Sequence, residues 1–264
     1  MKLVVGYIPY LNMVPFHQGF GPDPLQWAGD QIQFKTVTPN ALGLEAEQGR
    51  IHAGAMSLVD LFRLADQFRP LGDFGIGVQR AAGSVLLFSK KPLSELEGIC
   101  AVTDETSTSV RLLHVLLEQR YQRHSVSFGR IGAGMYDGSA DSLLLIGDAA
   151  LQARQTGVKG LPVVTDLATE WFAWQGTPFV FAQWAVRKDV PAVLSDAILE
   201  RLHQSLQKAQ VDKASLAAQR AVSTGLTPDQ ILAYWEGFDF RLTAAHRQAI
   251  EKFKECVGDP CLSA

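Results

Sequence analysis

Short apolar runs alternate with segments of helical spacing from the first residues to about residue 190. "KLVVGYI" is rich in β-formers and predicts a buried strand; "PNALGLEAEQG" predicts a short helix with Asn40 as N-cap and Gly49 just past its end. "RIHAGAMS" returns to strand, and "SLVDLFRLADQF" restarts a helix with Ser57 as N-cap. "GSVLLFSKKP" is an apolar run closed by two lysines and Pro92. "ICAVTDETSTSVRLLHVLLEQRYQ" then passes from strand through loop to helix. Val110, Leu113, Leu116 and Leu117 recur on one face of that helix, with Arg111, His114 and Glu118 on the other. "SLLLIGDAALQAR" repeats the scheme, and "TPFVFAQWAVRK" is a long apolar strand. From Pro191 the pattern is helical: one long helix, then two shorter ones begun at Thr227–Pro228 and at Thr243.

This alternation implies βαβ units, an α/β fold and a largely parallel sheet. The apolar strands at 84–89 and 179–186 bracket a central portion with βα units of its own. A chain that leaves one lobe, builds a second and returns would cross at those places. The expected division is residues 1–88 with 182–264 in one lobe and 89–181 in the other; a single open sheet is the alternative.

The 264 residues are 47% hydrophobic and 19% charged, enough apolar content for a sizeable core. A net charge of −3 leaves no basic excess for tracking nucleic-acid phosphates. No run approaches the ~18 apolar residues of a membrane span. Near the N-terminus the apolar run is only Leu3 to Val5 before Gly6, too short for the core of a signal peptide. Cys100, Cys256 and Cys261 show neither a disulfide framework nor zinc-ligand spacing. These features predict a cytoplasmic protein without a metal; the expected state is a monomer or weak homodimer.

Ligands of open α/β sheets bind beyond the carboxyl ends of strands, where helix N-termini offer unpaired N–H groups. Three such junctions carry hydroxyls or glycine: Ser57, the stretch with Thr106, Thr108 and Ser109, and Gly147 with Asp148. Asn12 follows the first strand. Together they suit a ligand bearing carboxylates; each alone also reads as an ordinary N-cap. No G-x-S-x-G elbow, phosphate-binding P-loop or H-E-x-x-H is present. His114, His203 and His246 fall on helical segments and read as solvated, whereas His17 lies near Asn12. Trp171, Trp174, Trp184, Phe179 and Phe181 read first as core and second as a pocket wall.

The motifs "GYIPYLNMVPF", "GSVLLFSKKP", "TSTSVRLLHVLL", "LLLIGDAAL" and "DLATEWFAWQGTPFVFAQWAVRK" resemble, in order, the chorismate dehydratase family of the futalosine route to menaquinone. "GLTPDQILAYWEGFDFRLTAAHRQAIEKFKE" extends the resemblance nearly to the end. It implies a type II periplasmic-binding-protein-like fold: two α/β lobes with a ligand cleft between them. It implies loss of water from chorismate, a small dicarboxylate, to give 3-[(1-carboxyvinyl)oxy]benzoate without cofactor. Asn12 and Ser84 are the implied catalytic residues. Ser57, Thr108 and Ser109 are the implied carboxylate ligands, with Thr106, Gly147 and Asp148 as further substrate contacts. Gly147 stands where the sister enzyme, dihydroxynaphthoate synthase, is expected to carry a histidine. Met13 and Phe16 are bulkier than is usual in the family, and the 106–109 loop lacks an arginine often seen there. The alternative is a non-catalytic solute-binding or sensor protein for a small cyclic or aromatic carboxylate.

Overall fold

Leu3 and Val5 are fully buried and strands flank them in parallel on both sides, so the first apolar run of the sequence becomes an inner strand of a sheet. The computed structural model describes residues 2–20, 32–103, 105–131 and 136–258; Cys261 lies outside them. The chain begins β1 (Leu3–Tyr7), α1 (Val14–His17), β2 (Ile32–Thr36), α2 (Pro39–Glu47), β3 (Ala53–Ser57), α3 (Leu58–Arg63) and β4 (Phe68–Val78). It continues β5 (Val85–Ser89), β6 (Gly98–Thr103), α4 (Thr108–Val115), β7 (Val126–Ile131), β8 (Ser142–Ile146), α5 (Gly147–Thr156), β9 (Val163–Asp166) and α6 (Leu167–Gln175). The last part is β10 (Phe179–Arg187), α7 (Ala192–Val211), α8 (Lys213–Thr224), α9 (Pro228–Glu236), β11 (Phe238–Arg241) and α10 (Ala244–Val257).

Two sheets result, ordered β11-β4-β10-β3-β1-β2 and β7-β6-β8-β5-β9. Taken from β2 and from β7, both follow one plan. Each begins with three strands, the earliest in sequence lying between the next two. The fourth place goes to a strand delivered as the chain crosses between sheets, β10 on the return and β5 on the departure. β1 with β2 and β3, and β6 with β7 and β8, are parallel. β10, β11, β5 and β9 make antiparallel pairs. The expected largely parallel sheet is thus corrected to two mixed ones. Right-handed βαβ connections impose parallel pairing only within a unit, and a strand arriving from the other lobe is free of that rule. The expected boundaries at 88/89 and 181/182 would cut β5 and β10, each hydrogen-bonded throughout in one sheet. The crossings instead occupy residues 79–84 and 176–178.

Local chemistry accounts for several further differences. The N-cap of α2 is Thr38, whose hydroxyl accepts from Ala41 N–H at 3.3 Å; Pro39 takes the first helical position and Asn40 follows it. The C-terminal portion holds three helices after α7 and an intervening strand; among α8 residues only Leu216 and Ala217 are buried, and β11 has four residues. His246 is fully buried rather than solvated, joined to Thr243 in a capping box and 3.2 Å from the Asp239 carboxylate. His114 is half-buried and stacked on Phe128 at 3.8 Å, and half-buried His203 meets Arg241 and Phe74. Trp171 and Trp184 are fully buried in the core.

His17, the last residue of α1, is buried and packs against Tyr7 with ring centroids 4.4 Å apart. Burial, with Arg220 nearby, pushes its pKa from 6.5 down to about 3. The unfolded chain therefore binds a proton between about pH 6.5 and 3 that the folded chain refuses. Stability rises with pH through that window and is lost as pH falls through it. His17→Gln should flatten the dependence of unfolding free energy on pH between 7 and 4, read from urea midpoints; an unchanged slope would refute this role. At Gly43 in α2, an added Cβ would lie 2.6 Å from Oδ2 of buried Asp60. Gly43→Ala should destabilise the fold by about 1–3 kcal/mol through overpacking, outweighing the ~1 kcal/mol of helix propensity it gains. Urea unfolding measures the balance.

Candidate functional site

Four parallel strands deliver the site: β1 and β3 of the first sheet and β6 and β8 of the second end at a cleft between the lobes. The cavity at its centre measures about 70 Å³. Asn12, Ser57, Ser84, Thr106, Thr108, Ser109 and Gly147 all line it. Apolar walls complete it, from Ile8, Tyr10, Ile76, Ile146, Phe181 and Phe238 among others. Phe181 sits at a bulge: Val180 pairs with Gly77 and Ala182 with Ile76, leaving Phe181 without a partner position. Such an extra residue re-aims a side chain. Among the described residues none that lines the cleft is charged. Among the described residues no group of three or more His, Cys, Asp or Glu could hold a metal ion.

The hydroxyls divide by polarity. Ser57, which caps α3, donates to Asp60 Oδ2 at 2.6 Å and accepts the Asp60 N–H at 3.4 Å. Across the cleft Thr108 Oγ1 accepts the Val59 N–H at 3.2 Å. Ser109 Oγ accepts from the Thr106 hydroxyl at 3.2 Å, and Ser109 N–H donates back to Thr106 at 3.3 Å. Thr108 and Ser109 each keep a proton for a ligand, at the N-terminal turn of α4, where the helix dipole favours negative charge. Ser84 Oγ and Tyr234 Oη share one hydrogen bond of 2.8 Å, so this buried pair also keeps one proton. Burial pushes the Tyr234 pKa up and keeps the phenol protonated.

Asn12 is placed by its neighbours. Leu11 N–H donates to Asp148 Oδ1 at 2.9 Å, Trp235 Nε1–H donates to Leu11 carbonyl at 2.8 Å, and Met13 N–H closes the turn onto Tyr10 carbonyl at 2.9 Å. Asn12 Oδ1 is buried without a hydrogen-bond partner, an acceptor left for a ligand. Asp148 corrects an expectation. It does not line the cleft but faces a neighbouring cavity with Arg220, Ser223 and Thr224, its oxygen spent on Leu11. One step beyond Gly147 along a helix turns a side chain about 100° away. Burial raises its pKa, opposed by the Leu11 hydrogen bond and Arg220.

Gly147 does line the cleft, yet its N–H is taken by Ser84 carbonyl at 2.8 Å, so it offers a ligand room rather than a donor. Its φ of +56° and a position 2.9 Å from the Tyr10 ring for any Cβ both demand glycine. His17, near Asn12 in the sequence, is absent from the lining. Tyr10, Phe238 and Tyr234 are functional neighbours that sequence reasoning missed. Tyr10 lies inside the "PYLN" stretch and was legible; the other two come from the far end of the chain.

The family model described as "Menaquinone biosynthesis" matches residues 3–259. A curated relative, chorismate dehydratase of Thermus thermophilus, is 28% identical and covers 97% of this chain and 96% of its own. Among solved structures, a protein from Archaeoglobus fulgidus superposes with a TM-score of 0.78 at 17% identity, covering 99% and 98% of the two chains. The periplasmic aliphatic sulphonate binding protein SsuA of Escherichia coli gives 0.66 at 12% identity, covering 97% and 90%. These likenesses establish the two-lobed, type II periplasmic-binding-protein-like fold. They also overturn the expected cytoplasmic location, since structures of this fold include periplasmic and ABC-transport solute-binding proteins. No helix among the described residues is long and apolar enough to cross a membrane. With its motifs, its two-sheet plan and a match running from the first strand to the last helix, the chain belongs to the menaquinone-biosynthesis family.

Proposed function

We propose that the cleft removes water from chorismate to give 3-[(1-carboxyvinyl)oxy]benzoate. The observation that carries this reading is the likeness to a chorismate dehydratase over 97% of the chain, joined to a neutral cleft with separate donors and acceptors. Chorismate loses its C3 proton and its 4-hydroxyl, and the ring becomes aromatic. The C3–H is vinylogous to the ring carboxylate, so charge from deprotonation spreads onto that group. Thr108 and Ser109, with protons to give at the start of α4, meet that charge as it grows. The proton kept by Ser84 and Tyr234 hydrogen-bonds to the departing oxygen, which leaves as water once it takes up the proton removed from C3, and Asn12 orients the reacting edge of the ring. Among the described residues none that lines the cleft bears a carboxylate or imidazole, and the substrate's own enolpyruvyl carboxylate is the acceptor for the C3 proton. The elimination is redox-neutral and calls for no electron carrier. Apolar walls and lobe closure keep water away from the developing charge.

A second reading is a solute-binding protein that holds a small cyclic or aromatic carboxylate without converting it. The solved structures support it more directly than they support the first, because several are, by name, binding components of transport systems.

Purified protein incubated with chorismate should form the enolpyruvyl benzoate, followed by ultraviolet absorbance and mass. Saturable binding with no turnover above the uncatalysed rate would select the second reading. Asn12→Ala and Ser84→Ala should each lower kcat on the order of a hundredfold, with little change in melting temperature. Loss of stability in proportion to activity would mark these residues as structural.

A further inference from the structure

Ser57 has no spare proton. Its hydroxyl donates to Asp60 Oδ2 at 2.6 Å and receives the Asp60 N–H at 3.4 Å. A serine hydroxyl has one proton and two lone pairs, so a single lone pair is what it presents to the cleft. Asp60 is 5% exposed, and the fold is shaped around it. Oδ2 also accepts from Ser107 Oγ of the opposite lobe at 3.0 Å, and Oδ1 lies 3.4 Å from the Arg63 guanidinium. Gly43 in α2 leaves the space the carboxylate fills. The opposite wall has the reverse polarity, for Thr108 and Ser109 accept from protein groups and keep their protons.

We propose that Asp60 is a positioning residue that makes Ser57 an acceptor, so that this subsite takes an O–H of the ligand and rejects a carboxylate. Carboxylate then goes to Thr108 and Ser109, which reverses the role the family resemblance implied for Ser57. On the proposed dehydratase reading, which supplies the ligand's name, this O–H is the ring hydroxyl that departs. The departing water carries two O–H bonds, and β1 and β3 are neighbours that each bring an acceptor to this side, Asn12 Oδ1 and Ser57 Oγ. Ser107 ties the arrangement to closure: it reaches Asp60 only when the second lobe lies against the first, alongside the Asn40 N–H to Glu105 carbonyl bond at 2.9 Å.

The test compares two ligands by calorimetry: chorismate, which has the ring hydroxyl, and 3-[(1-carboxyvinyl)oxy]benzoate, which lacks it. Ser57→Ala should weaken chorismate about fivefold, the scale of one neutral hydrogen bond, and leave the product within about twofold. Asp60→Ala, made together with Gly43→Ala so that a methyl fills the vacated space, should show the same selective loss because the Ser57 proton is released to turn toward the ligand. Asp60→Asn should restore most of the discrimination, its amide oxygen again taking that proton. Circular dichroism melts check that each variant folds. Equal weakening of both ligands by Ser57→Ala, or unchanged chorismate affinity in the double variant, would overturn the assignment. Should the unaltered protein bind neither ligand, the proposed function fails, and the subsite is judged on 4-hydroxybenzoate against benzoate. A hydroxyl preference abolished by Ser57→Ala upholds it, and equal or absent binding of the two refutes it.

Discussion

Leu11 is gripped on both of its peptide groups, and much of the site hangs on that grip. Its N–H is held by Asp148 from the second lobe and its carbonyl by the Trp235 indole from α9. Three distant parts of the chain thus meet at one residue of the turn after β1. The carboxylate is half-buried there, and burial alone would favour its neutral form. A peptide N–H at 2.9 Å and the Arg220 charge offset part of that cost. What results is a short turn whose next residue, Asn12, cannot relax away from the cleft even though its Oδ1 lacks a partner. An orphaned acceptor is held in place by bonds made one residue earlier.

The charges of the site stand just outside its lining. Asp60 and Asp148 each sit beside the cleft and act on it through a neighbour, Ser57 in one case and the 10–13 turn in the other. The described lining residues are neutral, with hydroxyls, an amide and aromatic walls. In a space from which water is displaced, oriented hydroxyls and helix N–H groups exert more effect than they would in solvent. They also impose direction, since a hydroxyl whose proton is already committed can only accept. Electrostatic selection here is a matter of which way each proton points.

Several parts of this were legible in the chain. Ser57 and the 106–109 hydroxyls were readable because β3 and β6 are apolar runs ending in Ser or Thr before a helix, and that pattern places a side chain at a strand's carboxyl end. Gly147 was legible for the same reason. Asp148 misled because adjacent residues of a helix face different directions, and only the tertiary partner Leu11 shows where its carboxylate goes. His246 misled as well. Helical spacing put it on a polar segment, while Gly77 of β4 and Asp239 of β11 enclose it, the first of them 169 residues away in the chain.

By itself the sequence determined the alternation of strands and helices, the two-lobed class, the family and seven of the residues around the cleft, because these follow from periodicity, capping and motif order. Tertiary structure alone decided the mixed direction of the sheets, the crossing points at 79–84 and 176–178, and the roles of Tyr234, Trp235 and Phe238. It also decided that Ser57 gives its proton to Asp60 while Thr108 and Ser109 accept from protein groups. The reason is physical. Local pattern records which face of an element is apolar, whereas the partner of a strand edge or a hydroxyl proton is chosen by whatever the folded chain brings within 3 Å or so of it.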